Sequence, residues 1–145
     1  MAYSRSAASK KPAKEKSSSL LPYRNPNLSA EKRVRDLLSR MTLEEKAVQM
    51  VCLWRERPNT MLNDDGEFDA AKAKAAYKKK NGLGQVARPS DAGKGKNARQ
   101  MAELTNTIQK FFLENSRLGI PVMFHEECLH GHWAIDGTSF PQPIA

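Results

Sequence analysis

Residues 125–132 read His-Glu-Glu-Cys-Leu-His-Gly-His, and nearly every side chain in this run can move a proton, ligate a metal or accept a hydrogen bond. Three chemistries compete for it. A zinc helix carries H-E-x-x-H, which sets both imidazoles on one face. Here His125 and His130 are five positions apart, about 500° of helical rotation, and turn away from each other. Gly131 and the apolar run before His125 also oppose a helix, so a metal site is not expected. The second chemistry is a carboxylate pair, Glu126 with Glu127. Retaining glycoside hydrolysis holds two carboxyls about 5–5.5 Å apart across the scissile bond. Neighbours in extended chain point to opposite faces, so at most one of these glutamates faces a common site and they are not acid and nucleophile together. The third is a single binding carboxylate, whose hydrogen bonds from hydroxyl groups are roughly twice as strong as those of a neutral acceptor. Pairing with a loop arginine is the structural use of the same glutamate that competes with this one.

The segment that must position this cluster begins at Gly82. Residues 82–88 form a short strand candidate and residues 89–95 a loop. A helix is expected from about Asn97 to Leu118, with Met101, Leu104, Ile108, Phe111 and Phe112 along one face and Gly119 as its stop. Residues 120–125 are then a nearly continuous apolar run, the pattern of a strand buried on both faces in a parallel sheet. Strand, helix and strand make a βαβ unit and imply an α/β fold. In α/β barrels chemistry sits at the C-terminal ends of strands, and the His-Glu-Glu cluster follows the second of these strands directly.

Upstream, Ser29 is placed to cap a helix to about Arg40 with Val34, Leu37, Leu38 and Met41 on one face. Thr42-Leu43-Glu44-Glu45 has the form of a capping box and opens a second helix with Leu43, Ala47, Met50 and Val51 as its expected buried side. Residues 58–66 read as a polar loop. Asp69 is placed to cap an Ala/Lys-rich surface helix reaching Lys80, closed by Asn81-Gly82. Two buried-type strands with one apolar-faced helix leave hydrophobic surface uncovered, so the reading expects an incomplete fold.

Composition sets the outer limits. The chain has 145 residues, 39% of them hydrophobic, enough for one core. Its mean hydropathy of -0.66 fits a soluble protein, and no uncharged stretch approaches a bilayer span. Residues 1–24 carry Arg5, Lys10, Lys11, Lys14, Lys16 and Arg24 against Glu15 alone, a net +5 of the chain's +8. The basicity therefore belongs to a tail, read as a disordered leader over residues 1–22, and no aromatics are interleaved with it as a single-strand platform needs. Neither a nucleic acid nor a membrane is expected as a partner. The leader lacks the apolar run of a secretory signal, which leaves a cytoplasmic protein or a mis-assigned start. Cys52 and Cys128 lack C-x-x-C spacing and read as two free thiols.

The order of five segments resembles family 3 glycoside hydrolases. These are Tyr-Arg-Asn-Pro (23–26) with Arg-Val-Arg-Asp-Leu-Leu-Ser-Arg-Met-Thr-Leu-Glu-Glu-Lys (33–46), Asn-Thr-Ile-Gln (106–109), Ser-Arg-Leu-Gly-Ile-Pro-Val (116–122), Glu-Cys-Leu-His-Gly (127–131) and Thr-Ser-Phe-Pro-Gln-Pro-Ile (138–144). The resemblance covers residues 23–145 and implies the N-terminal portion of a (β/α)8 TIM-like barrel, incomplete and preceded by two short helices. It implies a retaining, exo-acting β-glycosidase with no metal or organic cofactor, acting on β-linked glucosides or xylosides. The aspartate nucleophile, the glutamate acid/base and a Lys-His pair that grips the sugar would all lie beyond residue 145, on a missing C-terminal part of the same chain. The family is often periplasmic or secreted. One family site carries over: the carboxylate three residues before His-Gly, Glu127 here, would hold hydroxyls of the non-reducing sugar. Many glucosidases have Asp there, while Glu is common in xylosidase-like and some glucosidase-like members, so β-glucosidase, β-xylosidase and α-arabinofuranosidase specificities stay open. Arg88 and His130 are further substrate-binding candidates, with ion pairing inside the barrel and loop anchoring as their structural alternatives. Trp133 could stack on a sugar or pack in a loop. A non-catalytic carbohydrate-binding or interaction module is the reading from another class.

Overall fold

The computed structural model describes residues 20–142. The reading of a disordered leader falls mostly on residues outside that range. The chain divides into two compact units at Arg40.

In the first unit a single turn of 3-10 helix, Pro22–Arg24, packs on helix α1, Ala30–Arg40. The Ser29 hydroxyl accepts from the Lys32 amide, as its position before the helix predicts. Asp36 is the joint: it accepts from the Tyr23 amide at 3.1 Å and from Arg40 at 2.9 Å. The Arg40 guanidinium beside it holds its carboxyl below the usual range. The apolar stripe of α1 is not sealed: Val34 and Leu38 are exposed, and among the described residues of this unit only Tyr23 is buried.

The second unit holds a three-stranded parallel sheet in the order β1 (Cys52–Leu53), β2 (Gln85–Ala87), β3 (Met123–His125). Register pairs Cys52 with Gln85 and Gln85 with Met123, then Leu53 with Val86 and Val86 with Phe124, and Ala87 with His125. Paired residues share a face, so Leu53, Val86 and Phe124 stand on one side and Cys52, Gln85, Met123 and His125 on the other. The first side is covered by helix α5, Ala98–Asn115, whose Leu104, Ile108, Phe111 and Phe112 are buried against it. Phe112 lies edge-on to Tyr77 at 4.8 Å and to Phe111 at 5.2 Å, the tilt that ring quadrupoles favour.

Local sequence explains the main elements. Asn97 and Gln100 form a reciprocal capping box at the start of α5, but the helix ends at Asn115 with Ser116 as its C-cap, short of the expected stop at Gly119. Gln109 then fastens the helix to the last strand, accepting from the Val122 amide at 2.8 Å and donating to its carbonyl at 3.3 Å. Helix α2, Leu43–Val48, opens on the predicted Thr42–Glu45 box. The Glu45 carboxylate also pairs with Arg117 beyond α5, which holds it below its usual pKa.

Several expectations need correction. Leu43 and Met50 are exposed, because the residue that α2 buries is the ion-paired Glu45 and the helix ends at Val48. Val48 and Val51 instead lend their carbonyls to Gly84 and Gln85 as the chain enters β1. That strand is only two residues long and has no readable period, so the His-Glu-Glu cluster follows the third strand and not the second. Residues 58–66 are not simply a polar loop: helix α3, Arg57–Thr60, leads into Met61 and Leu62, both sealed in the core. Helix α4, Ala70–Ala76, is capped by Asp69 as expected but stops four residues early. Its Ala73 is fully buried and Tyr77 packs on the core, so it is not purely a surface helix. Finally, β3 is not buried on both faces. Met123 is 60% exposed and His125 is exposed too, so the side of β3 that carries them is open to solvent.

Candidate functional site

The site forms where β2 and β3 end side by side. Just past β2, Arg88 donates its amide to the His125 carbonyl at 2.7 Å, which brings the residues after both strands together. Arg88 takes a left-handed backbone conformation, φ 50° and ψ 54°, which costs a non-glycine residue about 1–2 kcal/mol.

That conformation is held by a network the sequence reading missed. Arg57, buried at the start of α3, donates to the Arg88 carbonyl at 2.5 Å, to the Trp54 carbonyl at 2.8 Å and to the Asp91 carboxylate. Asp91 also receives the Trp54 indole at 3.2 Å and the Arg88 guanidinium at 3.1 Å. The Arg88 guanidinium lies 5.1 Å from the centre of the Trp54 ring, within cation–π range. Only recognition of β1 would have flagged Trp54, as a residue at the C-terminal end of a strand.

The two adjacent glutamates diverge. Glu126 binds the loop after β2, accepting from the Ser90 amide and approaching the Ser90 hydroxyl, each at 2.8 Å. Glu127 accepts from Arg88 at 3.0 Å, and its side chain remains 57% exposed. Of the three residues named from the sequence, the structure thus joins Arg88 and Glu127. The arginine pairing weighed against a binding role is present, with one carboxylate oxygen of Glu127 engaged in it.

His130 is not joined to that pair. Its ring Nδ1 lies 3.2 Å from the Phe140 carbonyl, while its own carbonyl accepts from the Phe140 amide at 2.7 Å. Both contacts close the loop of residues 130–140. Gly131 lets the loop turn, with φ 85°; a Cβ there would lie 2.6 Å from the Thr138 carbonyl oxygen. Both cysteines are free and exposed, and Cys52 Sγ lies 3.2 Å from His125 Nε2 on the side of the sheet that carries Met123. Trp133 is 73% exposed.

The arrangement presents one exposed carboxylate beside a largely buried guanidinium at the C-terminal edge of a parallel sheet. Such a pair can receive and donate hydrogen bonds to vicinal hydroxyls. The sequence pattern of the glycosyl hydrolase family 3 N terminal domain matches residues 42–145. The chain belongs to this family. Among its relatives is beta-glucosidase C of Emericella nidulans, 36% identical over 118 residues, which covers 81% of this chain and 18% of that enzyme. A xylan 1,4-beta-xylosidase of Xylanibacter ruminicola is 63% identical over a shorter stretch of 35 residues, 24% of this chain and 4% of that enzyme. A solved β-glucosidase structure from Erythrobacter marinus superposes with a TM-score of 0.63 at 32% identity, covering 85% of this chain and 15% of that one. The family 3 chain thus spans less than a fifth of each of these relatives. Its α/β arrangement on a parallel sheet superposes on the Erythrobacter marinus structure over that coverage.

Proposed function

We propose that this chain is the opening portion, residues 23–145, of the barrel domain of a retaining, exo-acting β-glycosidase of the β-glucosidase type, and that it contributes to sugar binding and not to bond breaking. The observation that carries the reading is the exposed Glu127 carboxylate beside Arg88 at the ends of β3 and β2. Barrel enzymes place chemistry at that end of their strands. Glu127 has one oxygen on Arg88 and the other turned to no protein partner among the described residues, so it can accept from a sugar hydroxyl while Arg88 fixes its orientation. No residue of the chain is assigned as nucleophile or acid/base, and no metal or organic cofactor enters the proposal. Glutamate at position 127, together with relatives named for both sugars, keeps β-xylosidase or α-arabinofuranosidase specificity as the second reading.

The test is turnover of aryl β-glucoside against aryl β-xyloside by an enzyme carrying this segment within a complete family 3 framework. The better substrate names the sugar. Glu127→Ala is expected to raise KM and lower kcat together, because it removes ground-state contacts to the sugar hydroxyls and the part of them that strengthens in the transition state. Unchanged kinetics on the better substrate would remove Glu127 from the site. The 145-residue chain alone is expected to release no aryl group.

A further inference from the structure

Away from the Glu127–Arg88 pair, the sheet brings a nucleophile against a base. Cys52 lies on β1 and His125 on β3, the two strands that flank β2, and both side chains stand on the face opposite α5. Neighbouring strands are about 4.8 Å apart, so these two side chains must meet above the middle strand. The register leaves room for that. His125 pairs with Ala87, which brings only a methyl group to that row and is itself buried. Cys52 Sγ and His125 Nε2 are in hydrogen-bonding contact at 3.2 Å, and both residues are exposed.

That contact has two forms, a thiol donating to Nε2 and a thiolate accepting from it, which differ by the transfer of one proton. A thiol within reach of a base whose own position is fixed is the arrangement of an activated nucleophile. The backbone of His125 is fixed by its pairing with Ala87 and by its carbonyl, which accepts from the Arg88 amide at 2.7 Å. The base matters because an isolated thiol is only a few per cent thiolate near pH 7, and the thiolate is the form that attacks. Cys128 provides the comparison within the same chain. It too is free and exposed, and no base lies within hydrogen-bonding reach of its sulfur among the described residues.

We infer that Cys52 is a site of covalent modification by thiol–disulfide exchange, with His125 as its base and a low-molecular-weight disulfide as the reagent. The Cys52 proton passes to His125 Nε2, and the Sγ electron pair attacks one sulfur of the disulfide. A bond from Sγ to that sulfur forms as the reagent's S–S bond breaks, and the departing thiolate takes the proton from His125. Cys52 is oxidised to a mixed disulfide while the departing sulfur is reduced to a thiol, so no further oxidant enters. The inference stands apart from sugar binding, since the step uses neither Glu127 nor the Arg88 guanidinium.

The test treats the full 145-residue chain at pH 7 with bis(2-hydroxyethyl) disulfide, a neutral reagent that the glutamates beside Cys128 do not repel. Mass spectrometry of the two cysteine peptides follows each site separately. In the folded chain Cys52 should react about tenfold faster than Cys128, less than the roughly 10²–10⁴ usual for general bases in enclosed sites, because both partners are exposed. His125→Gln keeps an amide near the sulfur but cannot hold the proton; it should remove that lead and leave the Cys128 rate unchanged. Unfolding the wild-type chain in urea should remove the lead as well, a measurement that does not depend on the variant folding. Equal rates at the two cysteines of the folded chain would overturn the inference. So would a Cys52 lead that survives His125→Gln, or one that persists undiminished in urea and therefore comes from local sequence.

Discussion

Glu45 is the most informative single residue for stability, because it joins α2 to the chain leaving α5. Its side chain is 3% exposed. Its two oxygens accept from Arg117 Nε at 2.7 Å, from Arg117 Nη2, and from the Thr42 amide at 2.9 Å. Glu45→Gln keeps the reciprocal cap, since glutamine serves in a capping box, but removes the charge from the pair. Hydrogen bonds to charged groups contribute about 1.5–3 kcal/mol. Arg117 is 49% exposed and regains water when released, so the expected loss is reduced to about 1–2 kcal/mol. Glu45→Ala also removes the cap and should cost about 1 kcal/mol more. The pH dependence has a definite sign. Arg117 holds the folded carboxyl below the usual 4.5, so the pair's contribution is complete above the unfolded value and is lost as pH falls through the folded one. Urea denaturation followed by far-ultraviolet circular dichroism should give a wild-type advantage over Glu45→Gln that is constant from pH 7 to about 5 and shrinks at more acidic pH. An advantage below about 0.5 kcal/mol at pH 7, or one unaffected by acid, would refute the assignment of Glu45–Arg117 as the joint.

Two further outcomes follow from close contacts. Gly84→Ala would place a Cβ 2.2 Å from the Gln49 carbonyl oxygen, so it should break the entry of β1 beside β2 and destabilise the chain by about 3 kcal/mol or more, measurable as a lower urea midpoint. Asp91→Asn removes the carboxylate facing the buried Arg57 guanidinium and should cost about 3 kcal/mol, with faster hydrogen exchange at the Arg88 amide as the site-specific readout.

The helical parts of the fold were largely legible in the sequence, because their determinants are local. Ser29, Thr42 with Glu45, and Asp69 all act within a few residues of the helix starts they cap, whereas α5 ends at Asn115, before the expected stop at Gly119. The face of α5 was readable for the same reason: Leu104, Ile108, Phe111 and Phe112 recur with the helical period. The sheet was less legible. Cys52–Leu53 is a strand only because Val48 and Val51 meet Gly84 and Gln85 some thirty residues later. Without that strand, Trp54 and Arg57 could not be recognised as neighbours of Arg88.

The run His125 to His132 announced a polar site at a strand end, and the alternation of extended chain required Glu126 and Glu127 to part. Which of them stays open was decided by Ser90 and Arg88, residues distant in sequence that parallel pairing of β2 and β3 carries alongside. The sequence alone set the family, the helix caps and the chemical types at the site. Tertiary structure alone placed Arg88 between two carboxylates, buried Arg57 beneath it and turned Trp133 outward. The physical reason is range: capping and periodicity are encoded within one or two turns, whereas a charge's partners are chosen by packing between segments that meet only in the folded chain.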